Sequence, residues 1–251
     1  MNIYRQKGFE TDNIKYTKKG TAGNVGKLEE SLSRAKNTVL ELALCNPWTL
    51  FCTFTLDKSK YDRRNLKKFD KDFSQFIRDY RKKYNVKVKS LLVPEQHEDG
   101  CWHMHGFILG LPIEHLKEFT DKDFLPDKIR NRVKQGKRIF TWEPYAQKFG
   151  FSSIELIENQ SAASLYITKY ITKDTNNLVS NINAHMYYAS QGLNRAKVIR
   201  KGQIQREIES PNYKNDYATV KIFDNMDEPM SYFENIEFTA HSDITEKGGK
   251  Y

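Results

Sequence analysis

The sequence predicts a fold of the α+β class on two observations. Amphipathic stretches with helical spacing are interleaved with short β-branched and aromatic runs. Two of those runs, VKVKSLLVPE and WHMHGFILGL, are separated only by QHEDGC, a turn-forming segment that suits an antiparallel hairpin.

The elements follow in order. LEESLSRAKNTVLELALC, within Lys27 to Cys45, places Leu28, Leu32, Ala35, Val39 and Leu42 at spacings of three and four, an apolar helical stripe that Asn46-Pro47 stops. TLFCTFTLD (Thr49–Asp57) is β-branched and aromatic, a buried strand. YDRRNLKKFDKDFSQFIRDYRKKY reads as a helix with Leu66, Phe69, Phe73, Phe76 and Tyr80 inward. Its outer face then carries Arg63, Arg64, Lys67, Lys68, Arg78, Arg81, Lys82 and Lys83. After the hairpin, Pro112 to Phe119 reads as a short helix, Lys128 to Arg138 is basic, and RIFTWEPY and FSSIELIE read as strand. SAASLYITKYITKD fits either period, and AHMYYASQGLNRAKVI reads as a strand and a turn. Residues 1–24 read as a flexible basic arm, 25–209 as the main domain, and 210–251, where the composition turns acidic, as an extension.

The 251 residues carry a net charge of +9, which favours polyanionic partners, nucleic acid first. No apolar run approaches the ~20 residues that cross a bilayer. The N-terminus lacks an apolar signal region, and three cysteines without CxxC spacing suit reduced thiols, so a cytoplasmic location is expected.

Two constellations carry chemistry. In CWHMHGFILG, His103 and His105 alternate on a strand and so share a face, while Trp102, Met104 and Ile108 face the other way. Two aligned neutral imidazoles make half of a metal site. Cys101 falls on the same face as a minor candidate. The second is the doubled Tyr-x-x-Lys of YITKYITK. As a helix it gathers Tyr166, Lys169, Tyr170 and Lys173 on one arc, with Ala163, Ile167 and Ile171 beside it as a packing stripe. As a strand it puts Tyr and Thr on one face and Ile and Lys on the other. A phenol of pKa ~10 is a poor nucleophile at neutral pH, and neighbouring lysines favour its phenolate and stabilise charge developing on phosphorus.

TLFCTFTLD, WHMHGF and YITKYITK, in that order, resemble the three signature motifs of the HUH endonucleases, the rolling-circle replication initiators of small phages and plasmids. The resemblance covers roughly Thr49 to Lys173. It implies a central antiparallel sheet with helices packed on one face and the histidine strand in its middle. It also implies nicking of single-stranded origin DNA with Mg²⁺ or Mn²⁺, leaving a 5′-phosphotyrosine and a free 3′-hydroxyl. Carried over, His103 and His105 would be metal ligands, and Glu95 on the preceding strand the acidic third, with His97 as its neighbouring alternative. Tyr166 and Tyr170 match the nucleophile positions, with Lys169 and Lys173 as the motif lysines. Arg63, Arg64, Lys67 and Lys68 are expected to contact DNA phosphates. The sequence holds no G-x-x-x-x-G-K-[ST] loop, so unwinding and synthesis are expected from a host helicase and polymerase.

Competing readings fit less of the sequence. A non-catalytic nucleic-acid-binding regulator would need the basic helix and the aromatics but not both motifs together. A cupin-like His-x-His barrel would need a later histidine that Glu114-His115 does not supply. A plasmid-mobilisation relaxase shares the chemistry, with three-histidine clusters and another motif order.

Overall fold

The computed structural model describes residues 2–6, 25–173, 185–198, 204, 207–214, 218–223, 225 and 227–233. They fall into two compact units, Thr17–Ala196 and Met1–Tyr16 with Lys197–Tyr251. In the smaller unit, β1 (Asn2–Gln6) pairs antiparallel with a strand at Ala218–Ile222, which in turn pairs with Tyr213–Lys214. Residues 2–6, expected in a flexible arm, are therefore strand. Ile208, Phe223 and Tyr232 are buried together in this unit.

The larger unit is α+β, built on a seven-stranded, wholly antiparallel sheet. Its elements are α1 (Val25–Leu44), β2 (Leu50–Thr55), α2 (Leu66–Tyr84), β3 (Lys89–Gln96), β4 (Trp102–Leu109), β5 (Lys117–Glu118), α3 (Asp127–Lys134), β6 (Ile139–Thr141), α4 (Glu143–Lys148), β7 (Ser152–Leu156), α5 (Gln160–Lys173) and β8 (Tyr188–Ala189). The strand order is β5-β6-β7-β2-β4-β3-β8, which puts the histidine strand β4 in the interior.

The class and the sheet are as expected, but helices cover both faces rather than one. β3 and β4 are buried on alternate residues of both parities, so each face needs a cover. On one face Leu50, Cys52, Phe54, Leu92, Met104 and Ile108 pack with Leu66, Phe69, Phe73, Phe76 and Ile77 of α2 and with Trp142, Tyr145 and Phe149. On the other, Leu91, Val93 and Phe107 pack with Leu32, Val39 and Leu42 of α1 and Ile167, Tyr170 and Ile171 of α5.

Local chemistry sets the element ends. Asn65 caps α2 by accepting from the Lys68 amide at 3.0 Å, and Asn85 ends it in the left-handed region. Arg63 and Arg64, expected on the outer face of that helix, thus lie in the turn before it. Asn46 ends α1, its amide donating to Leu42 O at 2.8 Å and to Asn194 O at 3.0 Å. The expected helix at Pro112–Phe119 shortens to a 3₁₀ turn at Ile113–His115, because the chain turns extended at Leu116 and enters β5. RIFTWEPY is strand only to Thr141; Pro144 at the first turn starts α4.

The hairpin of β3 and β4 forms in the register Val93↔His105 and Glu95↔His103. Gly100 turns it at φ 78°. Gly106, just past the second histidine, lets the strands close: a Cβ there would stand 2.0 Å from Leu91 O.

Candidate active site

β2 and β4 run side by side with Thr53 opposite His105 and Thr55 opposite His103. Cross-strand partners share a face, so a threonine pair mirrors the histidine pair. Each hydroxyl lies against the Nδ1 of its partner, Thr53 Oγ1 at 3.1 Å from His105 and Thr55 Oγ1 at 3.2 Å from His103. Both rings are therefore anchored through Nδ1, leaving Nε2 as the outward atom. His105 Nε2 lies 2.8 Å from Glu95 Oε2. His97 packs on His103 with centroids 4.0 Å apart. Burial, with the neighbouring His97 and His105, lowers the His103 pKa to about 4. The ring is then neutral at physiological pH, the form that ligates metals.

Two imidazoles and a carboxylate are a donor set that suits a divalent ion. Among the described residues no group of three or more His, Cys, Asp or Glu side chains is disposed to hold a metal as it stands. The reason is visible at His105: its Nε2, the atom that would ligate, is spent on Glu95. Swapping that contact for two bonds to an ion requires the imidazole proton to sit on Nδ1. A threonine hydroxyl accommodates either tautomer, since it can donate or accept. The residues fit the expected group. Cys101 lies in the hairpin turn, its amide donating to Asp99 Oδ1 at 3.0 Å.

YITKYITK resolves as helix. Asn159 caps α5, its side chain accepting from the Ala162 amide at 2.8 Å, and Ile167 and Ile171 bury against α1 and β3. This packing lays the tyrosine arc over the histidines. The Tyr170 ring stacks on His105 with centroids 3.9 Å apart and planes 7° from parallel. Its hydroxyl donates to the Tyr166 hydroxyl at 2.8 Å. Tyr170 is 9% exposed and Tyr166 44%. Burial first, then the Tyr166 hydrogen bond and the Glu95 charge, raise the Tyr170 pKa, so its phenol stays protonated. Tyr166 rests edge-on against Phe51, centroids 5.8 Å apart, and the Lys169 ammonium stands 5.4 Å from its ring centre. Lys173 closes the helix; its side chain lies outside the described residues.

The four expected DNA contacts separate. Arg63 and Arg64 clasp the hairpin turn beside the histidines, Arg63 Nη2 at 3.4 Å from Asp99 Oδ2 and Arg64 Nη2 donating to Asp99 O at 3.0 Å. Lys67 and Lys68 start α2, which covers the opposite face of the sheet. Lys68 pairs with Asp72 at 2.9 Å. In the basic stretch 128–138, Arg130, Arg132, Lys137 and Arg138 pair with Asp127, Glu155, Glu158 and Glu118.

Sequence reasoning passed over Thr53 and Thr55, although Thr-x-Thr in one strand and His-x-His in its neighbour carry the same alternation.

Residues 49–175 match the family model for replication-associated proteins of the ORF2 type. The chain belongs to this family. The matched span runs from β2 through the end of α5, and so holds both histidines, their threonines, Glu95 and both tyrosines. A replication-associated protein of this kind serves replication initiation. No curated protein and no solved structure gives a significant match. Among the described residues no helix is long and apolar enough to cross a membrane.

Proposed function

We propose that this replication-associated protein nicks and rejoins single-stranded origin DNA through a tyrosine, as a metal-dependent endonuclease of the rolling-circle type. The observation that carries the reading is the stack of Tyr170 on His105 with the Tyr170 hydroxyl on that of Tyr166. It joins two tyrosines to a histidine pair that nothing in the fold requires.

His103, His105 and Glu95 would hold Mg²⁺ or Mn²⁺, which supplies polarisation of the scissile phosphate. Thr53 and Thr55 fix the imidazoles in the orientation that turns Nε2 outward. Tyr166, the more exposed phenol, attacks phosphorus; its O–P bond forms while the P–O3′ bond breaks. The DNA 5′ side stays on the tyrosine, and the 3′ oxygen leaves to become the primer hydroxyl. Tyr170 keeps its proton and aims it at the Tyr166 oxygen, a donor placed at the atom that must become anionic. Lys169 adds positive charge beside the same ring. The free 3′-hydroxyl conserves the phosphodiester energy on Tyr166, so the reverse attack reseals the strand. Lys173, one helical turn further, belongs to the same cationic arc in this proposal. Arg63 and Arg64 at the hairpin turn contact DNA phosphates, with Lys67 and Lys68 contributing to the general positive field. Unwinding and synthesis fall to a host helicase and polymerase, in the cytoplasm of the host cell.

The deciding experiment incubates the protein with single-stranded origin DNA and Mn²⁺ and looks for a covalent protein–DNA adduct. EDTA, or His103→Ala with His105→Ala, removes the adduct. Robust cleavage by that folded double variant would overturn the assignment.

A further inference from the structure

A groove of about 530 Å³ opens on the face of the sheet away from the histidines, between α2 and the segment of β8. Its α2 wall is a single stripe, since Asp70, Ser74, Arg78 and Arg81 follow at spacings of four, four and three. His185 and Tyr188 face them from the β8 side, and Leu92 and Met104 make an apolar floor. The charge along the stripe is ordered, with a carboxylate at one end and guanidiniums at the other. Asp70 is half-buried and has no hydrogen-bond or ion-pair partner among the described residues. No carboxylate pairs with Arg78 or Arg81 either among those residues; Arg78 donates to Gln75 Oε1 at 2.6 Å, and Arg81 Nε to Val88 O at 2.6 Å.

We infer that this groove binds one nucleotide whose base carries an exocyclic amino group, the amino group donating to Asp70 and the phosphate lying at Arg78. A desolvated carboxylate without a donor is costly, and an amino group is the partner it lacks. Burial holds the Asp70 carboxyl above its usual range against the pull of His185, which is the state a ligand's N–H groups would relieve. Asp70 and Arg78 are eight residues apart on one helix, about 12 Å at the helical rise, the scale of a nucleotide from base edge to phosphate. The rings of Tyr188 and His185 supply flat surfaces against which a base can stack. The volume lies within the range of small-molecule sites, roughly 300–1,000 Å³. Thymine, which has no amino group, is the base the groove rejects. The inference extends the DNA-handling reading above: one nucleotide of the bound strand would be read on the back of the sheet while another part lies at the tyrosines. A free nucleotide has the same chemistry.

Calorimetric titration of the full-length protein with dAMP, dCMP, dGMP and dTMP, and with short homopolymers of each, tests it. The amino-bearing bases are expected to bind about tenfold more tightly than thymine. Asp70→Ala, which favours the helix, should erase that preference, and Arg78→Ala should weaken all the ligands alike. The preference in mononucleotides and homopolymers both identifies a general nucleotide site; its appearance in homopolymers alone identifies a strand-reading site. Equal binding of thymine and the other bases, or a preference that survives in Asp70→Ala, overturns the inference. Adduct formation measured in parallel keeps the two proposals apart. An adduct without an Asp70-dependent preference sinks only the groove, and the preference without an adduct sinks only the nuclease.

Discussion

The Tyr170 ring lies flat on the His105 imidazole, 3.9 Å between centroids. One side chain thus covers a candidate metal ligand and, through its hydroxyl, holds the neighbouring candidate nucleophile. The two tyrosines are one helical turn apart yet chemically unlike, Tyr170 buried and protonated, Tyr166 open to solvent.

That inequality predicts the outcome of separate substitutions. Phe keeps each ring and removes only the attacking oxygen. Tyr166→Phe should slow adduct formation markedly, because Tyr170 must leave its stack on His105 to attack. Tyr170→Phe should slow it less, by about tenfold for one lost donor, and only the double variant should form none. Gel detection of the adduct on origin DNA reads all three. If Tyr166→Phe alone behaves as wild type, Tyr166 is not the primary nucleophile.

The threonines behind the histidines give a prediction independent of cleavage. Thr53→Val and Thr55→Val keep shape and strand preference but remove the hydroxyl that anchors Nδ1. Manganese affinity should fall by about 10–100-fold, the usual effect of losing an outer-shell partner. Calorimetry with Mn²⁺ and no DNA measures this directly. Unchanged affinity in both variants would mean the imidazoles are held by packing alone.

The parts of this architecture that were legible in the sequence are those set by local pattern. The stripe Leu66, Phe69, Phe73, Phe76 and Tyr80 fixed α2 and its buried face, and the paired runs around Gly100 fixed the hairpin. The placing of Arg63 and Arg64 failed because a hydrophobic stripe does not mark where a helix begins; the Asn65 cap does. YITKYITK could not be settled by its own periodicity, since Ile and Thr favour strands. The Asn159 cap and the tertiary burial of Ile167 and Ile171 decided it. The second helical layer was in fact written in β4. Phe107 and Leu109 lie on the same face as His103 and His105, so that face had to be covered beyond the site. The link of Arg132 to Glu155 across 23 residues left no pattern to read.

A pH dependence follows from His103. Its pKa falls from 6.5 to about 4 on folding, with burial the first cause. Below 6.5 the unfolded chain binds a proton that the folded chain refuses, so stability falls as pH drops from 6.5 toward 4 and is unaffected above that window. Discounted for partial solvent exposure, the loss is on the order of 1–2 kcal/mol. Denaturant unfolding in EDTA at points across the window measures it, and His103→Asn should flatten the slope. A slope equal in the variant would assign the effect to another group.

The last prediction concerns which basic residues meet DNA. Arg63 and Arg64 hold the turn at the histidine end of the hairpin, while Lys67 and Lys68 begin a helix on the opposite face. A strand threaded past the tyrosines can touch the arginines without meeting those lysines. Each lost phosphate contact on single-stranded DNA lowers the slope of log affinity against log salt by about 0.7. Arg63→Ala with Arg64→Ala should therefore reduce the slope by about 1 to 1.5. Lys67→Ala with Lys68→Ala should shift affinity slightly at low salt through the long-range field and leave the slope nearly unchanged. Anisotropy titrations of single-stranded DNA over a salt series distinguish the pairs. An equal drop in slope from both would put DNA on both faces of the sheet, and a drop from the lysines alone would put it along α2.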